Sequence, residues 1–93
     1  MTNETLDSEK RPATVREAVE YLRRTMPQQA LAELAALAED QLIQTHYGLG
    51  AGIRNGLLRD NPALRKDTGQ RQPDDASAVI VEALWRELKA RAQ

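Results

Sequence analysis

The sequence predicts an all-α fold: a compact four-helix domain with a short glycine-rich third helix and a long loop before the C-terminal helix. Three observations predict it. Apolar residues recur at helical spacing in separate stretches, Val15 to Met26, Leu31 to Ile43 and Val79 to Leu88. Two of these stretches open on residues suited to capping, Thr14 and the pair Asp74-Asp75. Proline and glycine then punctuate the chain at Pro27, Asn61-Pro62, Gly69 and Pro73.

Residues 1–13 are polar, with Pro12 near their end, and read as a disordered N-terminal arm. A single helical domain is expected over 14–91. Thr14-Val-Arg-Glu17 has the capping-box pattern, in which Glu17 reaches back to the amide of the cap. Val15, Ala18, Val19, Leu22 and Met26 form the stripe of the first helix, bordered by Tyr21. Glu20 and Arg24 stand four apart on its outer face, the order that favours an ion pair.

Pro27 ends this helix, because the residue before a proline is pushed out of the α region. It also suits the first turn of a second helix, expected over Gln28–Gln44. There Leu31, Leu34, Ala35, Ala38 and Leu42 make the stripe, with Leu37 and Ile43 widening it.

The segment His46–Leu58 holds the only histidine and four of the five glycines. Each glycine costs a helix about 1 kcal/mol relative to alanine. Even so, His46, Gly50, Ile53 and Leu57 share one helical face, and small residues permit close backbone approach. A short third helix is therefore expected, ending near a left-handed Gly56. Residues 59–73 read as a loop with one helical turn around Ala63–Lys66, and ordered loops of that length often carry function. The last helix should start at Asp74 or Asp75, capped by either carboxylate. It should bury Ile80, Leu84 and Leu88, with Val79, Val81, Ala83 and Trp85 beside them. Glu82–Arg86 and Glu87–Arg91 are its outer pairs. The expected packing is an orthogonal or up-and-down bundle.

Composition narrows the function classes. Ninety-three residues make one domain, able to bury roughly 60–65% of its unfolded surface without staples. Cysteine is absent, which removes thiolate nucleophiles, disulfides and cysteine zinc sites together. No apolar run approaches a membrane span, and the acidic N-terminus lacks a secretory h-region, so the cytoplasm is the expected location. A net charge of −1 and a pI near 5.8 disfavour a general nucleic-acid footprint. The charge is uneven, however. Residues 27–44 carry Glu33, Glu39 and Asp40 and no cation, whereas 53–72 carry Arg54, Arg59, Arg65, Lys66 and Arg71 against Asp60 and Asp67.

Arg54 and Asn55 lie among apolar neighbours, where a guanidinium is expensive without a carboxylate. The expectation is that Arg54 reaches Asp74 or Asp75 and ties the third helix to the last, with Asn55 capping its helix or holding the loop. His46 is the one side chain of the type that changes charge near neutrality. Its plainer role is a hydrogen bond at a helix start, and a lone histidine builds no metal site without carboxylate help. No metal or cofactor is expected. Trp85 is expected to cover the edge of the core with its indole N–H turned to solvent or a carbonyl, although aromatics so placed also anchor interfaces.

Two blocks carry a family resemblance. His46-Tyr-Gly-Leu-Gly50 followed by Ile53-Arg-Asn55, and Pro73-Asp-Asp75 followed by Ser77, resemble a group of small bacterial proteins with a His-aromatic-Gly-Leu-Gly-x-x-Ile-Arg-Asn block and a Pro-Asp-Asp-x-Ser block. Gly56-Leu57, Asn61, Leu64, Ile80 and Leu84-Trp85 extend the likeness over residues 14–89. The sequence departs from that pattern at Ala51-Gly52, where bulkier residues are expected. The group is a domain family of unknown function, so the resemblance implies a fold and no activity.

The resulting functional expectation is a non-catalytic protein-interaction module that meets a protein partner through the 59–73 loop or the Trp85 edge. Two alternatives stand beside it. One is a polar-ligand or enzymatic site in which His46, Arg54, Asn55, Asp74, Asp75 and Ser77 converge. The other is a nucleic-acid accessory using the basic 54–71 segment. Oligomeric state stays open.

Overall fold

A computed structural model describes residues 11–91, and all of the regular structure among them is helical. Five helices are present rather than four. They are α1 (Val15–Thr25), α2 (Gln28–Ala35), α3 (a helical run over 46–58), α4 (Pro62–Thr68) and α5 (Pro73–Arg91). A 3₁₀ segment, Glu39–Thr45, joins α2 to α3. The radius of gyration is 13.1 Å, near the roughly 12 Å of a compact chain this long.

Helix α5 is the centre of the fold. It packs against α1, α2, the 3₁₀ segment, α3 and α4. Ala76, Ile80, Val81 and Leu84 supply its buried face, joined by Ala18, Val19 and Leu22 of α1, Leu31 and Leu34 of α2, Ile53, Leu57 and Leu58 of α3, and Leu64 of α4. The helix starts one residue earlier than expected, with Pro73 at its first position, where a missing amide costs nothing. Asp74 and Asp75 therefore lie inside the first turn rather than at the cap, and their charge complements the helix dipole there.

The second helix stops at Ala35, well short of Gln44. The Leu37 amide turns to the Leu34 carbonyl at 3.1 Å, and Ala38, extended at φ −79° and ψ 161°, gives its amide to Gln41 Oε1 at 2.7 Å, so the α ladder ends there. The Leu37 carbonyl accepts the Trp85 indole N–H at 2.9 Å, and the Gln41 amide turns to Ala38 at 2.9 Å. The chain then tightens into a 3₁₀ coil, with about three residues per turn. The changed period carries Ile43 out of the expected apolar stripe and leaves it 76% exposed.

The glycine-rich stretch departs from an ordinary α-helix. It is a π turn over His46–Gly50, an α turn over Ala51–Ile53 and a second π turn over Arg54–Leu58. It runs past Gly56, and the left-handed conformation falls instead to Asp60 at φ 55° and Gly69 at φ 76°. Aspartate tolerates that region better than most residues.

The expected long loop contains α4. Asn61 caps it through Oδ1 to the Leu64 amide, Pro62 fills its first position, and Gly69 closes its end. Leu64, fully buried, makes the short helix part of the core. Asn61 also donates to the carbonyls of Pro12 at 2.7 Å and Leu57 at 3.0 Å. Near the C-terminal end of α4, Asp67 accepts from the Val15 amide at 2.7 Å, at the start of α1. Thr14 caps α1 as expected, but Glu17 reaches the Ala13 amide, one residue beyond the cap.

Of the expected N-terminal arm, residues 1–10 lie outside the described residues. Arg11 donates to the Arg59 carbonyl at 2.8 Å, and Pro12 is buried. Glu20 pairs with Arg23 at 2.8 Å rather than with Arg24, which donates to the Glu20 carbonyl. The pairs Glu82–Arg86 and Glu87–Arg91 form at 2.7 and 2.6 Å.

Candidate functional site

Helices α3 and α5 meet at a polar clasp. Arg54 stands at the start of the second π turn, and its side chain is 19% exposed. Its Nε lies 3.1 Å from Asp74 Oδ1. Its Nη1 donates to the His46 carbonyl and to Ser77 Oγ, both at 3.4 Å. Ser77, 1% exposed, donates onward to the Asp74 carbonyl at 2.9 Å. The partner chosen from the two aspartates is thus Asp74.

The guanidinium reaches this position by passing over Gly50. A Cβ there would stand 3.3 Å from the Thr45 carbonyl oxygen, 3.4 Å from Arg54 Nη1 and 3.7 Å from Ser77 Oγ. Gly48 and Gly52 have open space at the same point. Gly50 is therefore the glycine that close approach requires.

Four of the seven residues singled out in the sequence come together here: His46, Arg54, Asp74 and Ser77. The His46 Nε2 stands 4.0 Å from Asp74 Oδ2. Asn55 is exposed and caps nothing, since its helix continues to Leu58. It lines a neighbouring groove instead. Asp75 is exposed, and its carboxylate makes no ion pair or hydrogen bond among the described residues. Trp85 lies about 12 Å farther along the axis of α5, by helical rise. It is half-buried, gives its N–H to Leu37, and carries Lys89 Nζ 5.5 Å above its ring.

Two grooves flank the clasp. One, of about 190 Å³, runs along Leu42, Ile43, His46, Ala78 and Val81, with Glu39 and Glu82 on its lip. Arg86 bridges those glutamates at 3.3 and 2.7 Å, and the hydrogen bond it donates to Glu82 raises its pKa above the ordinary value. The other groove, of about 440 Å³, is lined by Arg54, Asn55, Leu58, Arg59, Arg65 and Asp74.

A ridge that sequence reasoning missed stands beside the first groove. Tyr47 is 87% exposed and Ile43 76% exposed. The tyrosine ring meets the His46 imidazole edge-on, with centroids 5.1 Å apart at 86°. The signal was weak: Ile43 and Tyr47 stand four apart in sequence, on either side of the 3₁₀–π junction, and both are exposed.

Among the described residues, no group of three or more histidine, aspartate or glutamate side chains is placed to hold a metal ion. Nor does a buried side-chain nitrogen or oxygen there lack a hydrogen-bond partner. No described helix is long and apolar enough to cross a membrane. A family model described as a domain of unknown function, DUF6794, matches residues 11–88. No curated protein and no solved structure matches the chain.

Proposed function

The chain belongs to the DUF6794 family of domains of unknown function, and we propose that it is a non-catalytic protein-interaction module of the bacterial cytoplasm. The observation that carries this reading is the Ile43–Tyr47 ridge, where two large apolar side chains stand 76% and 87% exposed. An isolated exposed apolar residue is ordinary, but a paired ridge with an aromatic member beside an apolar groove has the character of an interface centre.

The clasp beneath supports an architectural role for Arg54, Asp74 and Ser77. Arg54 engages Asp74 through Nε and the His46 carbonyl and Ser77 through Nη1, and the Ser77 hydroxyl donates to the Asp74 carbonyl. Engaged in this way, the group holds α3 against α5 and presents the ridge. The test compares proteins that co-purify from the host with the tagged wild type and with Tyr47→Ala. A partner held by the wild type and lost by the variant is expected, and an identical set from both overturns the reading.

The larger groove favours a second reading, in which Arg54, Arg59 and Arg65 hold a polar anionic ligand or a nucleic-acid backbone. Asp60 and Asp74 line the same groove and oppose it. Nucleic-acid affinity that does not change with salt would eliminate the backbone version, because phosphate contacts release counterions.

A further inference from the structure

The acidic 27–44 and basic 53–72 stretches do not neutralise each other within one chain. Among the described residues no ion pair joins them: Glu39 pairs with Arg86, and Arg54 with Asp74. Each charged stretch lies next to apolar surface. Glu39 and Asp40 are on the 3₁₀ segment that carries Ile43 and leads into Tyr47. Arg54, Arg59 and Arg65 outnumber Asp60 and Asp74 in a groove of about 440 Å³ that includes the buried Leu58. Ridge and groove are close together, since His46, next to Tyr47, contributes the carbonyl that Arg54 of the groove touches at 3.4 Å.

We propose that this chain forms a two-fold dimer in which the Ile43–Tyr47 ridge of each copy docks into the Arg59–Arg65 groove of the other. This rests on the reading of the ridge as an interaction surface and names its partner as a second copy. The chemistry is complementary. A tyrosine ring entering the groove meets guanidinium groups, which favour aromatic faces. The carboxylates of Glu39 and Asp40 arrive with it and face Arg59 and Arg65. Two-fold closure is part of the proposal: ridge and groove adjoin the same clasp in each copy. An axis near the clasp brings both pairs into contact at once, and such closed dimers are the commonest symmetric assembly.

Sedimentation of the full chain from micromolar to millimolar concentration tests the proposal. A monomer–dimer equilibrium that shifts towards monomer in high salt is expected. Tyr47→Ala alone, and Arg59→Glu with Arg65→Glu, should each weaken the dimer at least about tenfold. All three side chains are exposed, so circular dichroism should show that both variants remain folded. Mixing the two variants supplies the decisive reading. One retains its groove and the other its ridge, so a heterodimer forms more tightly than either variant with itself. A wild type that stays monomeric throughout overturns the dimer, as does dimerisation indifferent to the arginine changes, growth beyond two copies, or no recovery on mixing. A monomeric wild type that still loses a host partner on Tyr47→Ala would remove this proposal alone, whereas loss of neither partner nor dimer on Tyr47→Ala would remove the reading of the ridge itself.

Discussion

Replacing Arg54 by alanine tests whether the clasp holds α3 to α5. The ion pair to Asp74 has good length, 3.1 Å, but Asp74 is 62% exposed. Two unit charges at about 4 Å attract by roughly 1 kcal/mol in water and about 4 kcal/mol at a partly screened surface site. With one partner largely in water, the lower end applies, and exposed pairs commonly yield about 0.2–1 kcal/mol. The two hydrogen bonds, at 3.4 Å each, are long and add only a few tenths. Removing the mostly covered side chain also forfeits the packing of its methylenes. Together these give a loss of about 1–2 kcal/mol. For a domain of this size each kcal/mol lowers the melting temperature by roughly 4–8 °C. Thermal and urea unfolding of Arg54→Ala, Asp74→Asn and the double variant provide the assay. The cycle should return a coupling of about 0.5–1 kcal/mol, with Asp74→Asn alone milder than Arg54→Ala. A loss under about 0.5 kcal/mol for Arg54→Ala is the range of harmless surface changes. That result, or a coupling near zero, would refute the clasp.

Two further outcomes follow from the same geometry. Gly52→Ala should stabilise the fold by about 0.4–1 kcal/mol, because a Cβ there meets nothing within 4 Å. Gly50→Ala should forfeit that gain and come out neutral or destabilising, because its Cβ crowds the Thr45 carbonyl and the Arg54 guanidinium. Equal stabilisation in a melting comparison would show that Arg54 does not pass over Gly50. Asn61→Ala removes the cap of α4 and two ties, to Pro12 and Leu57, and should cost about 1–2 kcal/mol in urea unfolding. Asn61→Asp should keep the cap while losing the two donated bonds, and fall between the variant and the wild type.

The sequence by itself determined what depends on local pattern and on charge that must be answered. Period placed α1 and α5 to within one or two residues, and Thr14 caps where its position implied. The cost of a guanidinium among apolar neighbours was enough to send Arg54 to the Asp74–Asp75 pair. Tertiary structure decided what depends on competition between distant groups for the same atoms. The run Gln28–Gln44 has the helical composition of alanine and leucine, yet it breaks at Ala38, which is extended and gives its amide to Gln41 Oε1, and the Leu37 carbonyl beside the break receives the Trp85 indole from far along the chain. That break changes the period and turns Ile43 outward. Likewise Asn61-Pro62 reads as a turn in isolation. It becomes a helix start because Leu64 finds a closed core site, while Asn61 and Asp67 find partners across the fold. A chain's own spacing fixes which faces are apolar, but every buried backbone carbonyl needs a donor, and only the folded chain decides which donor arrives.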